Sequence, residues 1–380
     1  MELHLSDSQK AVQEVARSFA EKEMRPAVMQ YDESQEFPLE LIQKLADLGF
    51  LGITWPESLG GAGLTEQESV VIIEELARVD PSVALTVASH NSLCSGHIML
   101  FGTEAQRKRF IPALASGKAL GAWALTEPGS GSDSGGLATT ARREGSDWVL
   151  NGTKTFITQG SVASTYVVMA VTDPSVGKKS ISAFIIERKV PGFSVGKKEN
   201  KLGMRSSDTA TLLLEDVRIP GSQLIGGVGE GFKQALQVLD GGRIGIAALS
   251  VGIAQGALDA SLRYAKERQQ FGKPIAEYQA IQWKLAAMAT EIAAARLLTH
   301  KAAWLKSEGQ PFGLAASQAK YWASEMAVKA TNEAVQIHGG YGFTKEYPVE
   351  KLYRDVKLMT IGEGTSEVQK MIIARNLLRS

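Results

Sequence analysis

The sequence predicts a mainly α-helical protein with an all-β middle, in three blocks: residues 1–119, 120–227 and 228–380. Three observations carry this. Apolar residues recur at helical spacing through the first block, short β-branched and aromatic runs fill the second, and helical spacing returns after Gly226-Gly227 and Gly229.

In the first block, Ser6-Asp7-Ser8-Gln9 has the spacing of a capping box, and Val12, Val15, Ala16 and Phe19 then recur at helical intervals. A first helix is predicted to run to Pro26, where a missing N–H should stop it. Residues 39–48 and 66–79 repeat the pattern, Asp80-Pro81 reads as a stop, and residues 89–101 read as a further apolar helix. In the second block, residues 147–150, 153–158, 165–172, 181–187 and 211–217 read as strands. Residues 144–147, Asn151-Gly152 and Asp173-Pro174 read as the turns between them. In the third, Ile281, Leu285, Met288, Ile292 and Ala295 step like a bundle seam. Residues 314–337 and 368–378 add further helices, so a four-helix bundle is the economical arrangement.

Composition narrows the function. The 380 residues are 44% hydrophobic and 22% charged, which is globular, and a chain of this length is expected to divide into two or three domains. Forty-one basic residues balance forty-one acidic ones, leaving no summed field to hold nucleic acid or an anionic membrane. Met1-Glu2-Leu3-His4-Leu5 lacks the basic and apolar run of a secretory leader, so a cytoplasmic protein is expected. Cys94 is the single cysteine, so no internal disulfide and no cysteine-rich metal site is expected. The apolar run at 244–254 contains a serine and two glycines and falls short of the roughly 20 residues a membrane span needs; it reads as a buried helix.

Chemistry is expected first where helix gives way to strand. Trp123-Ala-Leu125-Thr126-Glu127-Pro128-Gly129-Ser130-Gly131-Ser132-Asp133 is dense in glycine and hydroxyl residues, whose backbone can approach a flat ligand closely. Alone, it reads more simply as a flexible interdomain linker. Further on, Lys154-Thr155-Phe156-Ile157-Thr158 alternates so that Phe156 and Thr158 share one face and Ile157 takes the other. That suits a stacked heteroaromatic ring, and equally a plain strand burying Phe156. Asp240-Gly241-Gly242-Arg243 lies in a helical stretch where two glycines cost roughly 2 kcal/mol relative to alanines, so something must approach closely, whether a packed helix or a ligand.

In that order and spacing, the segments at 123–133 and 154–158 resemble the flavin-binding signatures of the acyl-CoA dehydrogenase family. Lys201-Leu202-Gly203-Met204-Arg205 with Asp208-Thr209, Arg268-Gln269-Gln270-Phe271-Gly272, Gln336-Ile337-His338-Gly339-Gly340 and Ile361-Gly362-Glu363-Gly364-Thr365-Ser366-Glu367 match family blocks in sequence order. The resemblance spans essentially the whole chain. It implies an N-terminal helical domain, a middle β-barrel and a C-terminal four-helix bundle, assembled as a homotetramer with one FAD per subunit.

By the same resemblance, Trp123, Leu125, Thr126, Gly131 and Ser132 contact the flavin, Ser132 also meets the CoA moiety, and Phe156, Ile157 and Thr158 flank the ring. Phe156 stands where many relatives carry tryptophan, and should still stack. Arg268, Phe271, Gln336, Gly339 and Gly340 are expected to reach the FAD diphosphate and adenosine of a neighbouring subunit. Guanidinium suits phosphate, although Lys266, Glu267 and Arg268 alone would read as a solvated helix end. Thr365 and Glu367 join the cofactor set. Asp240, Arg243 and Gly364 are expected on the pantetheine and thioester part of the substrate. His338 reads as a turn residue.

Glu363, between two glycines, precedes Ser366-Glu367-Val368-Gln369, which has capping-box spacing for the last helix. Alone it would read as a carboxylate decorating a helix start; by resemblance it is the base that removes the substrate α-proton. One family branch places its base immediately before the arginine corresponding to Arg243, a position held here by Gly242. The resemblance gives Glu127 and Asp133 no proton transfer. The developing enolate would be held by the Glu363 N–H and a ribityl hydroxyl of FAD, with β-hydride passing to flavin and trans-2-enoyl-CoA as product. Burial is expected to raise the Glu363 pKa against the helix dipole once substrate is bound.

Electron-transferring flavoprotein is the acceptor the resemblance implies. An oxidase using molecular oxygen is the nearer alternative, and glutamate at 363 argues against a nitroalkane oxidase. A non-catalytic acyl-CoA-binding scaffold is the reading from another class, separable by whether the purified protein is yellow. Asn91-Ser92-Leu93-Cys94 is expected to help line the acyl pocket and to admit short to medium acyl groups.

Overall fold

Ser6 opens the first helix as its spacing with Gln9 predicts: its hydroxyl accepts from the Gln9 N–H, and the Gln9 side chain accepts from the Ser6 N–H in return. In a computed structural model, residues 4–378 are described; Met1, Glu2 and Leu3 of the expected leaderless start lie outside the described residues. Helix α1 (Asp7–Phe19) does not stop at Pro26. The chain passes through a π-helical turn at Ala20–Met24 and a 3-10 turn at Arg25–Ala27 into α2 (Val28–Ser34). Pro26 sits at the start of the 3-10 turn, where the absent N–H costs nothing.

Helices α3 (Leu39–Asp47), α4 (Glu66–Ala77), α5 (Pro81–Ser89), α6 (Gly96–Phe101) and α7 (Glu104–Ala115) complete the N-terminal block. Asp80 starts α5, its carboxylate accepting from the Ser82 N–H. A π-helical stretch, His90–Ser95, joins α5 to α6.

The middle block is a sheet of β1 (Gly121–Ala124), β2 (Thr140–Glu144), β3 (Asp147–Thr158), β4 (Thr165–Val171), β5 (Ile181–Glu187), β6 (Phe193–Lys198), β7 (Thr209–Pro220) and β8 (Leu224–Ile225). Its order is β6-β7-β3-β2-β4-β5-β8, with β1 running parallel to β4. The sheet is not the closed barrel expected. Closure requires the two edge strands to pair, and β6 and β8 each remain an edge. The halves meet at β2 and β4 through the single register pair Thr140↔Val171. Asn151-Gly152 is no turn either: both lie inside β3, at a register shift against β7, with Gly152 at φ 151°.

Helices α8 (Gly231–Glu267), α9 (Gln279–Ser307) and α10 (Gly313–His338) pack pairwise, and the short hairpin β9 (Gln269–Gln270) and β10 (Lys273–Pro274) joins the first two. Helix α4 also packs on α8 and α9, so the bundle shares a side with the N-terminal block. Helices α11 (Val349–Val356) and α12 (Ser366–Leu377) lie against α10. By length and a mean hydropathy of 1.4, α8 would suffice to cross a membrane, yet 89% of its apolar window is buried inside the protein.

The three blocks are fastened together by buried charges. Lys351 donates to Asp80 at 2.9 Å and Asp355 at 2.6 Å, while Asp355 also accepts from the Met204 N–H. The backbone of Gly203 lies so close to Arg354 and Asp355 that a Cβ would overlap them. The Lys201–Thr209 block of the sequence is therefore an interdomain fastening.

Candidate active site

Glu363 lies on the turn between α11 and α12 with φ 54°, flanked by Gly362 and by Gly364 at φ 95°. A left-handed glutamate is strained, and such strain persists where surrounding bonds fix it. Here Gln369 Nε2 on α12 donates to the carbonyls of Glu363 (3.3 Å) and Gly364 (2.9 Å), and Lys320 Nζ on α10 donates to the Gly364 carbonyl at 2.8 Å. The helix cap behind this turn is Thr365 and not Ser366: Thr365 Oγ1 accepts from the Val368 N–H, and Ser366 Oγ turns instead to Glu325.

The Glu363 residue keeps partial exposure, but its Oε2 is sealed from solvent and has no hydrogen-bond partner. Burial pushes this carboxyl up to about 7, offset in part by the charges of Arg243 and Lys320. The rise expected only with substrate bound is thus present in the free protein. Among the described residues no acceptor meets the Glu363 N–H.

Gly242 explains the position of the carboxylate. A Cβ there would overlap Glu363 Oε2, whereas one at Gly241 would meet only the flexible end of Lys306 at 3.2 Å. Arg243, one residue on, is buried and paired with Asp240, and its Nε has no partner. Burial lowers the Arg243 pKa and raises that of Asp240. Asp240, Arg243, Glu363 and Gly364 are therefore brought together, and the unpartnered Oε2 and Nε mark where a polar ligand would be received.

The glycine-rich loop after β1 is organised and is no slack linker. Glu127 and Ser130 exchange backbone hydrogen bonds at 2.9 and 3.1 Å, and the Glu127 carboxylate accepts from the N–H groups of Ala138 and Thr139. Lys154, fully buried on β3, donates to Glu127 at 2.7 Å and to the Leu125 carbonyl at 3.1 Å. A bulge between Lys154 and Ile157 frees the Thr155 N–H to reach the Thr126 carbonyl at 2.9 Å and leaves Phe156 at φ 54°, 65% exposed. Burial pushes the Glu127 carboxyl up, but the Lys154 ammonium together with the hydrogen bonds from Thr139 and Ala138 outweighs it and holds the group below its usual range.

Of the residues expected on the flavin, Thr126, Gly131, Ser132, Phe156 and Thr158 are at least partly accessible. The Leu125 and Ile157 side chains are in the core, so these two could contribute only through their backbones. Trp123 donates its indole N–H to His97 at 3.0 Å, which in turn bonds Gln234. At Gly129 and Gly131 an added Cβ would meet nothing within 4 Å, so the loop leaves room for a bound ring system.

A second concavity of about 450 Å³ gathers Tyr264, Arg268, His338, Gly339, Gly340 and Tyr341. Arg268 lies 5.3 Å over the Tyr341 ring, and His338, stacked on Tyr264 at 4.3 Å, ends α10 and shapes this wall. Gln336 is exposed beside it. Phe271, at the tip of the β9–β10 hairpin, is 94% exposed. Along α8, Arg268 stands roughly 37 Å from Arg243 at 1.5 Å per residue. Thr365 serves as the α12 cap, and Glu367 is exposed on the first turn of that helix.

Cys94, expected near the acyl pocket, belongs to the core of the protein. It is fully buried among Ile98, Ile111 and Val167, its thiol 3.7 Å from the Thr165 carbonyl and pushed up to about 12 by burial. Asn91 is likewise committed, donating to the Phe50 and Val87 carbonyls. Lys320 and His97 shape the site without any local sequence signal, because each acts through a partner far away in the chain.

Matches to three family models complete this picture: the acyl-CoA dehydrogenase N-terminal domain over residues 6–118, the middle domain over 122–217 and the C-terminal domain over 229–378. The chain belongs to the acyl-CoA dehydrogenase family. Members are FAD-dependent oxidoreductases with flavin as acceptor. The chain is 45% identical to a short-chain specific acyl-CoA dehydrogenase of Clostridium acetobutylicum, over all of both chains. It is 46% identical to subunit CarC of the caffeyl-CoA reductase-Etf complex of Acetobacterium woodii, over 99% of this chain and 100% of that one. Among solved structures, butyryl-CoA dehydrogenase from Megasphaera elsdenii superposes with a TM-score of 0.98 at 45% identity, over all of both chains.

Proposed function

We propose that this acyl-CoA dehydrogenase oxidises short- to medium-chain acyl-CoA thioesters to trans-2-enoyl-CoA, with Glu363 as the base that takes the α-proton. The observation that carries the reading is the Glu363 carboxylate: sealed from water at Oε2, unpartnered, and held over the glycine at position 242. Bound along Thr126, Gly131, Ser132 and Phe156 to Thr158, FAD supplies the acceptor for the β-hydride.

A thioester α-proton is weakly acidic, so a carboxylate alone cannot remove it at a useful rate; the carbonyl oxygen must be held by donors as charge develops. The Glu363 N–H, which has no acceptor among the described residues, is placed to be one of them. A carboxyl titrating near 7 is matched to proton transfer at neutral pH. Arg243, whose charge acts on Glu363, and its ion-pair partner Asp240 would position the thioester.

The separation of Arg268 from Arg243 along α8 supports a shared cofactor site, in which the cavity at Arg268, Gly339 and Gly340 and the exposed Phe271 serve the FAD of a neighbouring subunit in a homotetramer. Likeness to CarC, by name a subunit of a complex with Etf, supports electron-transferring flavoprotein as partner. The same name supports a second reading, reduction of an enoyl-CoA, in which Glu363 returns the proton it would otherwise take. A single buried cysteine supports a reducing cytoplasm.

The test is anaerobic titration of the FAD-loaded protein with acyl-CoA thioesters of increasing length. Bleaching of the flavin by butyryl- to octanoyl-CoA is expected. Bleaching by none of them, or only by very long chains, would contradict the proposal.

A further inference from the structure

Lys320 is a fully buried lysine that, among the described residues, forms no ion pair. A buried charge without a bonded partner costs several kcal/mol, and methionine would fill the same space without that cost. We infer that Lys320 is a positioning residue for the base: it clamps the Gly364 carbonyl from α10 and sets its charge facing the Glu363 carboxylate. This rests on the reading of Glu363 as base.

Three observations converge on it. The Lys320 ammonium reaches the Gly364 carbonyl at 2.8 Å, and Gln369, on α12, donates to that same oxygen. Two donors from two helices thereby fix the left-handed turn that presents Glu363. The charged groups around Lys320 are Glu363 on the turn, Arg243 on α8, Glu325 on α10 and Glu367 on α12. Around Glu363 they are Arg243 and Lys320. Arg243 already faces Asp240 at close range. Lys320 is bonded to no carboxylate among the described residues, and its charge adds to that of Arg243 in opposing the rise at Glu363. Burial lowers the Lys320 pKa to about 8, which leaves it charged at neutral pH.

A lysine that merely packed would affect stability and leave the ionisation of Glu363 alone. One that positions the base must also change the pH profile. In Lys320→Met the Glu363 carboxyl loses an opposing charge, so the limb along which flavin reduction rises with pH should move upward by about one pH unit. At pH 7 this alone slows reduction about fivefold, and raising the pH should recover it. Lys320→Gln serves equally if the methionine variant does not fold, since both remove the charge. Gln369→Leu loosens the clamp without changing charge, and should slow reduction at every pH without moving the limb.

The measurement is the rate of anaerobic flavin reduction by butyryl-CoA across pH 5.5–9.5. It is paired with an infrared titration of the protonated carboxyl band that Glu363→Gln removes, which reads the base directly without turnover. An upward shift of both in Lys320→Met or Lys320→Gln, and of neither in Gln369→Leu, is the expected result. A bleached wild type with an unshifted lysine variant overturns the inference alone. A wild type that acyl-CoA cannot bleach overturns the reading of the site, and this inference with it.

Discussion

The Glu363 carboxylate occupies the space in which a side chain at position 242 would begin, so the glycine on α8 and the glutamate on a turn more than a hundred residues later form one unit. Gly241 has no such partner. Of the two glycines that weaken α8, Gly242 is the one the site requires.

Gly242→Ala should therefore separate stability from activity. Alanine favours a helix interior by about 1 kcal/mol over glycine, so α8 should persist. The carboxylate must yield, and a displacement of about an ångström at a reacting group costs on the order of 100-fold in rate. Flavin reduction by acyl-CoA should fall to that extent while circular dichroism is retained. Gly241→Ala, which meets only a flexible lysine end, should lose far less. Equal losses in the two variants would contradict the account.

The raised Glu363 pKa also predicts how stability depends on pH. Between about 4.5 and about 7 the folded protein holds a proton that the unfolded chain has released, so this group makes stability fall as pH rises through that window. Glutamine cannot ionise. Glu363→Gln should match the wild type in thermal unfolding near pH 4.5 and exceed it increasingly up to pH 7, toward a ceiling of about 3 kcal/mol. A wild type that is the more stable of the two at pH 8 would count against burial as the cause.

Some of this site was legible in the sequence and some was not. The order of helical and β blocks follows from local periodicity, whereas Glu363 alone read as a carboxylate decorating a helix start and was singled out only by the family resemblance. The capping box at Ser6 is a local pattern, and it formed. Pro26 and Asn151-Gly152 misled because local propensity was overruled: one fits the start of a 3-10 turn, the other a bulge within a strand held by β7. The open sheet depends on which edges pair, which no single segment encodes. Lys154 with Glu127, and Lys320 with Gly364, join residues 27 and 44 positions apart. Only the folded chain brings such pairs together.

Lys154 and Glu127 carry the third prediction. Glu127→Gln leaves a buried ammonium uncompensated beneath the glycine-rich loop, at a cost of about 3–5 kcal/mol. The variant should unfold at lower temperature and retain less FAD, read from the yellow absorbance after gel filtration. Adding Lys154→Met should recover part of both losses, because the two groups are in direct contact. A double variant as impaired as the sum of the singles would show that the pair is not what orders the loop.

Arg268→Ala tests the shared cofactor site. If Arg268, Gly339 and Gly340 serve a neighbour's FAD, cofactor loss and subunit dissociation should occur together. Analytical ultracentrifugation combined with flavin absorbance reads both at once. A monomer with full FAD occupancy would exclude the arrangement.

The central claim is that Glu363 is the base, and anaerobic stopped-flow mixing of FAD-loaded Glu363→Gln with butyryl-CoA tests it most directly. The amide is close in shape to the carboxyl but cannot accept the α-proton. The account predicts a folded, yellow, ligand-binding variant whose flavin stays oxidised, beside a wild type whose bleaching rate falls as pH drops below about 7. Bleaching of the variant at near wild-type rate would assign the proton to another residue.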